Sequence, residues 1–226
     1  MNKRILPAVA AAMLSATALY AQTEASGLRD SLALASEQLS IHPDSIDLRL
    51  RKAAWNVRLG QWQYAKDEYD AVLRQAPGNI AALYFRAYAN ERLHRHAFAR
   101  QDYEALLRRV PDHFEARLGL ALLNQGDGRH TEALDGINAL VDAHPDSALA
   151  WAARAGMERE RGMADLAEYD YSRALEIDPG NADYLLCRAD VRIGLGKMDE
   201  AREDLDSIVR KGTPRQALRE WYDRCR

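Results

Sequence analysis

The chain has 226 residues, of which 47% are hydrophobic and 29% charged, with a formal charge of −3. That length supports an ordinary domain with a sizeable core, and that composition excludes a disordered or fibrous chain. The mild acidity disfavours nucleic acid as a partner, because approach to a polyanion meets repulsion.

Helix formers dominate, with Ala, Leu, Arg and Glu abundant and only three Phe, so the fold class reads as all-α. The first residues read as a secretory signal peptide over 1–21. Lys3 and Arg4 give a positive start, Ile5 to Leu19 an apolar stretch interrupted by Pro7, Ser15 and Thr17, and Ala18 and Ala21 two small-residue cleavage positions. The alternative is an uncleaved anchor, against which stand the short apolar run and Pro7. Such a leader implies a mature protein exported across the inner membrane, expected in the periplasm, with no stable membrane span once it is removed.

Prolines at 43, 77, 111, 145 and 179 are each 34 residues apart, and Pro214 follows at 35. With each proline at slot 32 of a 34-residue frame, repeats span 46–79, 80–113, 114–147, 148–181 and 182–213. Slot 8 is then Ala53, Ala87, Ala121, Ala155 and Ala189, and slot 20 is Ala65, Ala99, Ala133, Ala167 and Ala201. Slot 15 is Gly60, His94, Gly128, Gly162 and Gly196, and slot 24 is Tyr69, Tyr103, Ile137, Tyr171 and Leu205.

Each slot has a physical role. Alanines at a helix crossing let two axes approach closely. Glycine at slot 15 takes positive φ and ends helix A, and proline at slot 32 ends helix B. Slot 34 carries Ser45, Asn79, His113, Ser147 and Asn181, of which Ser and Asn suit an N-cap for the next helix A.

Small residues at slots 8 and 20, a large apolar residue at slot 24 and proline at slot 32 resemble the tetratricopeptide-repeat (TPR) signature over residues 46–212. Repeat 3 departs most, with Gly136 and Ile137 where other repeats carry an acid and usually Tyr. The resemblance implies an α-solenoid, a right-handed superhelix of helix-turn-helix repeats, with twelve helices and no strands. A half repeat over about 28–45 is expected to open the mature chain. A cap helix over 214–226 is expected to close it, with Ala217, Leu218, Trp221, Tyr222 and Cys225 on one apolar face.

A charge pattern runs through the frame. Slot 7 is Lys52, Arg86, Leu120, Arg154 and Arg188, and slot 23 is Glu68, Asp102, Gly136, Asp170 and Asp204. The one repeat without the cation also lacks the acid, which points to ion pairs within each repeat or between neighbours.

The family resemblance also implies a non-enzymatic module that binds a peptide or partner protein in a concave groove lined by slots 2, 5, 9, 12 and 13. Leu50, Tyr84, Tyr88, Arg92, Leu118 and Leu122 are the groove candidates, with Tyr and Arg the usual anchors of such surfaces. The competing reading has these side chains filling a tightly wound superhelix. The Lys and Asn set of carboxylate-clamp TPR proteins is not reproduced. The alternative function is a structural subunit of an envelope assembly, docking through end helices or the convex face.

No HExxH, GxSxG, phosphate loop or GxGxxG occurs, and six scattered histidines give no ligand set, so neither catalysis nor a metal or other cofactor is expected. Cys187 and Cys225 are too few for a disulfide framework, and whether they pair is left open by the sequence.

Overall fold

The computed structural model describes residues 26–225, all of whose regular structure is helical. The signal-peptide reading lies outside them. They fall into two compact units, one ending at Pro111 and one beginning at Asp112. The first unit holds α1 over 26–41, α2 (Ile46–Arg58), α3 (Trp62–Gln75), α4 (Ile80–Arg92) and α5 (His96–Leu107). The second holds α6 (Phe114–Gly126), α7 (His130–Ala143), α8 (Ala148–Glu160), α9 (Ala164–Ile177), α10 (Ala182–Gly194), α11 (Met198–Arg210) and α12 (Arg219–Arg224).

Every helix A begins the same way. The side chains of Ser45, Asn79, His113, Ser147 and Asn181 accept backbone N–H groups of the first turn, satisfying donors that an uncapped helix leaves orphaned. His113 does this through Nδ1, which accepts from the Ala116 amide. Every helix A also ends the same way. In repeat 1 the Gly60 amide donates to the Val57 carbonyl and the Gln61 amide to the Asn56 carbonyl, and the equivalent pair recurs in all five repeats. That double bond needs a left-handed residue at slot 15. Glycine supplies it four times, at φ +68 to +76°, and His94 supplies it once, at φ +56°.

The two helices of each repeat pack against one another, as α2 on α3, α4 on α5, α6 on α7, α8 on α9 and α10 on α11. All ten alanines of slots 8 and 20 lie at these crossings and are at most 1% exposed. The large apolar side chains fill the space behind them. Tyr69, Val72, Tyr103 and Leu106 are buried in the first unit, and Ile137, Leu140, Met157, Tyr171 and Leu205 in the second. A buried alanine at a close crossing has no room to grow, and overpacking such a site costs about 1–3 kcal/mol.

The slot 7 cations hold their slot 23 acids within each repeat. Arg86 donates from Nε to Asp102 Oδ2 at 2.9 Å and from Nη2 to Oδ1 at 2.5 Å. Arg154 grips Asp170 with two such bonds, at 2.5 and 2.9 Å, and Arg188 grips Asp204 at 3.1 and 2.6 Å. Lys52 meets Glu68 at 2.8 Å. The third donor of each arginine goes to slot 25 of the repeat before. Arg86 Nη1 reaches Asp70 at 2.8 Å, Arg154 Nη1 reaches Asn138 at 3.1 Å, and Arg188 Nη1 reaches Ser172 at 3.1 Å. One guanidinium thus ties three helices, which its planar fork allows and an ammonium does not.

The C-terminal cap differs from the single helix expected over 214–226. Pro214 is extended, at φ −59° and ψ 131°, and a 3-10 turn over Arg215–Leu218 precedes the six-residue α12. The break sits at Leu218, at φ −103° and ψ 12°, where the side chain turns inward to meet Leu205 and Ile208. Leu218 and Cys225 are buried and Trp221 and Tyr222 pack beside them, but Ala217 is exposed, because the tighter turn rotates it off the apolar face. Cys187 and Cys225 are both free thiols.

Candidate protein-binding site

In the first unit, α4 carries Tyr84, Tyr88 and Arg92 one turn apart, on a single stripe of the helix. Tyr88 is 37% exposed. Its edge meets Trp62, the first residue of α3, at 5.7 Å between ring centroids. The Arg92 guanidinium stands over the same indole at 5.2 Å, a cation–π contact. Tyr84 leans on Phe85 at 5.1 Å and on Tyr103 at 6.1 Å.

A hydrogen bond beneath this stripe fixes it. The buried Tyr103 hydroxyl donates to Glu91 Oε1 at 2.5 Å. Burial holds the Glu91 carboxyl above its usual range, and burial together with Glu91 raises Tyr103 well above the usual phenol range. The face is therefore a set of aromatic planes and one guanidinium set on an ordered base. It can stack side chains and accept an acidic group at Arg92.

Leu50 lies half-buried on α2 of the same unit. In the second unit, Leu118 is half-buried against the core formed by Ala121, Ile137 and Leu140, while Leu122, one turn on, is exposed. Polar contacts also cross between the helices A of that unit. Gln125 reaches Glu160 at 3.0 Å, and Asp190 is shared by Arg159 at 3.4 Å and Arg224 at 2.7 Å. The candidate residues thus separate. Tyr84, Tyr88 and Arg92 share one face, Leu50 sits on another helix of that unit, and Leu118 serves the core of the second unit.

Trp62 was missed by slot arithmetic. It occupies slot 17, the opening of helix B, and joins the face only because that position meets slots 9 and 13 of the following helix A. The sequence signal was an aromatic residue at the first position of helix B. Among the described residues, no three His, Cys, Asp or Glu side chains come together as a metal site. Nor is any helix there long and apolar enough to cross a membrane.

Antiparallel helix pairs of constant length, crossing at buried alanines and closed by a left-handed turn, define a class of helical-repeat interaction proteins. A family model described as "Tetratricopeptide repeat" matches residues 92–147 and 125–182. A comparison with curated proteins finds no match.

Solved structures with the same fold include a tetratricopeptide-repeat protein from Parabacteroides merdae, at 22% identity and a TM-score of 0.68, covering 90% of this chain and 80% of that one. MamA from Desulfovibrio magneticus is 17% identical with a TM-score of 0.65, covering 75% and 97%. YrrB, described as a TPR protein with an unusual peptide-binding site, is 17% identical with a TM-score of 0.58, covering 77% and 90%. Residues 92–182 match the tetratricopeptide-repeat model and the described residues share the fold of tetratricopeptide-repeat structures, and that fold is in general a module for protein–protein interaction.

Proposed function

We propose that the chain is a non-catalytic binding module of the cell envelope, and that the α4 face of its first unit receives a peptide or a segment of a partner protein. One observation carries this reading. Tyr88 stays exposed although an adjoining indole and guanidinium are already arranged around it. Rigid aromatic planes beside an arginine are what interface anchors are made of. The peptide-binding description of YrrB supports the same use of the fold, and the signal-like residues 1–21 support the envelope location.

In-cell crosslinking of the mature protein, read by mass spectrometry, identifies the partner. Tyr84→Ala with Tyr88→Ala is then expected to weaken binding of that partner by about 10–100-fold while helicity is kept. Unchanged affinity in a folded double variant would reject the face. For the location, N-terminal sequencing of periplasmic material is expected to begin at Leu19 or Gln22, and an intact Met1 in the cytoplasmic fraction would reject it.

A structural role in an envelope assembly is the second reading. Leu149, Leu166 and Tyr169 are exposed in the second unit, and Trp151 meets Tyr169 edge-on at 6.5 Å. Leu166→Ser with Tyr169→Ser separates the readings, since loss of association in this variant alone moves the contact to α9.

A further inference from the structure

Slot 11 of the frame, two residues before the end of each helix A, carries a polar side chain that is buried in the first four repeats. It is Asn56, Asn90 and Asn124 in repeats 1 to 3, Glu158 in repeat 4 and Arg192 in repeat 5. This position sits beside the slot 23 acid. Asn90 Nδ2 donates to Asp102 at 3.4 Å, and Arg192 Nη1 donates to Asp204 at 2.9 Å. Both supply a donor to a buried carboxylate. Glu158 has none to supply unless it carries a proton.

The surroundings of Glu158 give no other remedy. It is 7% exposed, and its Oε2 has no hydrogen-bond partner. Asp170 of α9 is almost wholly buried. Arg154, on Glu158's own helix, already spends two donors on Asp170 and a third on Asn138 of α7, and stands 4.0 Å from Glu158 Oε1. From α7, Asp142 acts on Arg154 as a further negative charge, and α6 contributes the neutral Gln125, which bonds Glu160. One guanidinium therefore faces two buried carboxyls. Like charges so placed do not both ionise without penalty.

We infer that Glu158 and Asp170 form a proton-sharing joint between α8 and α9, closed while Glu158 donates its proton to Asp170 and loosened when that proton leaves to solvent. Burial first, then the Asp170 charge, raises the Glu158 carboxyl to about 7. The sign follows from linkage. An acid whose folded pKa lies above its unfolded value binds more protons when folded, so stability falls as pH rises from the ordinary carboxylate range through about 7.

Carbon-13 NMR titration of the glutamate carboxyls in the full chain reads the joint directly, with the Glu158 signal assigned by its loss in Glu158→Gln. The expected midpoint is near 7, and a midpoint in the ordinary carboxylate range near ~4.3 overturns the proposal. Thermal melts provide the second reading. Between pH 5 and pH 8 the wild-type Tm is expected to fall by about 3–8 °C more than that of Glu158→Gln. Equal falls overturn it. If the Gln variant does not fold, Glu158→Asn replaces it, copying what three other repeats carry. Hydrogen exchange then locates the effect, with protection lost at α8 and α9 at the higher pH and kept at α2 to α5, whereas uniform loss overturns the assignment to this joint.

Discussion

Repeat 2, built from α4 and α5, and repeat 3, built from α6 and α7, follow one frame but hold their two helices together by different means. In repeat 2 the Arg86 fork grips Asp102, whose carboxylate is only 6% exposed, and reaches back to Asp70. In repeat 3 the same positions are Leu120 and Gly136, and α7 comes close enough that a Cβ on Gly136 would stand 3.4 Å from the Ala121 Cβ. Ile137 and Leu140 are fully buried beside it. The charged fork has been exchanged for apolar contact and a closer approach. Either half alone would leave a charge or a polar gap in a dry place.

The largest expected effect comes from breaking repeat 2 halfway. Arg86→Leu leaves Asp102 with only the weak Asn90 contact and strips Asp70 of a partner, and removing one member of a buried pair costs about 3–5 kcal/mol. Adding Asp102→Ala removes the stranded charge. The double variant is expected to recover at least ~1 kcal/mol of that loss, since an apolar substitute for a buried pair is often nearly neutral. Urea denaturation followed by circular dichroism measures both, and additive losses would contradict the pairing argument.

The converse test builds the fork into repeat 3. Gly136→Asp alone places an unpartnered carboxylate against the α6 crossing and is expected to destabilise by about 1–3 kcal/mol. With Leu120→Arg added, the fork can close, and stability is expected to return to within ~1 kcal/mol of wild type. A double variant no better than Gly136→Asp alone would show that the 3.4 Å approach at Ala121, not the missing charge, governs this repeat.

Much of this architecture is periodic, and periodic features are legible from a single chain. The 34-residue proline spacing marks where helix B must stop, and alanines at two fixed slots mark where axes cross, so the fold class follows from counting. Side-chain partnerships across the stack are less legible. Trp62 joins Tyr88 and Arg92 through a contact between slot 17 and the next helix A, which no spacing within one repeat reveals. Leu118 belongs to a stripe by arithmetic but turns to the core of the second unit. The cap over 214–226 broke into a 3-10 turn and a short helix because its backbone follows the pull of Leu218 toward Leu205, a tertiary demand absent from the local pattern. Glu158 went unnoticed since a glutamate near a helix end looks like ordinary surface until its burial is seen.

The smallest expected effect concerns the turn between α4 and α5. His94 stands where the other repeats use glycine, at φ +56°, and its amide still closes the left-handed turn by donating to the Glu91 carbonyl at 2.9 Å. A Cβ in that region of backbone space is disfavoured by roughly 1 kcal/mol. His94→Gly relieves it, but glycine also gains freedom in the unfolded chain, which returns part of the benefit. The net expectation is a stabilisation of about 0.5 kcal/mol, with a Tm rise of about 1–2 °C in a calorimetric scan. Gly60→His, placed at the matching turn of repeat 1, is expected to shift Tm downward by a comparable amount. If both variants lower the melting temperature, His94 contributes a contact, such as the tilted stacking on His96 at 6.2 Å, that outweighs its backbone strain.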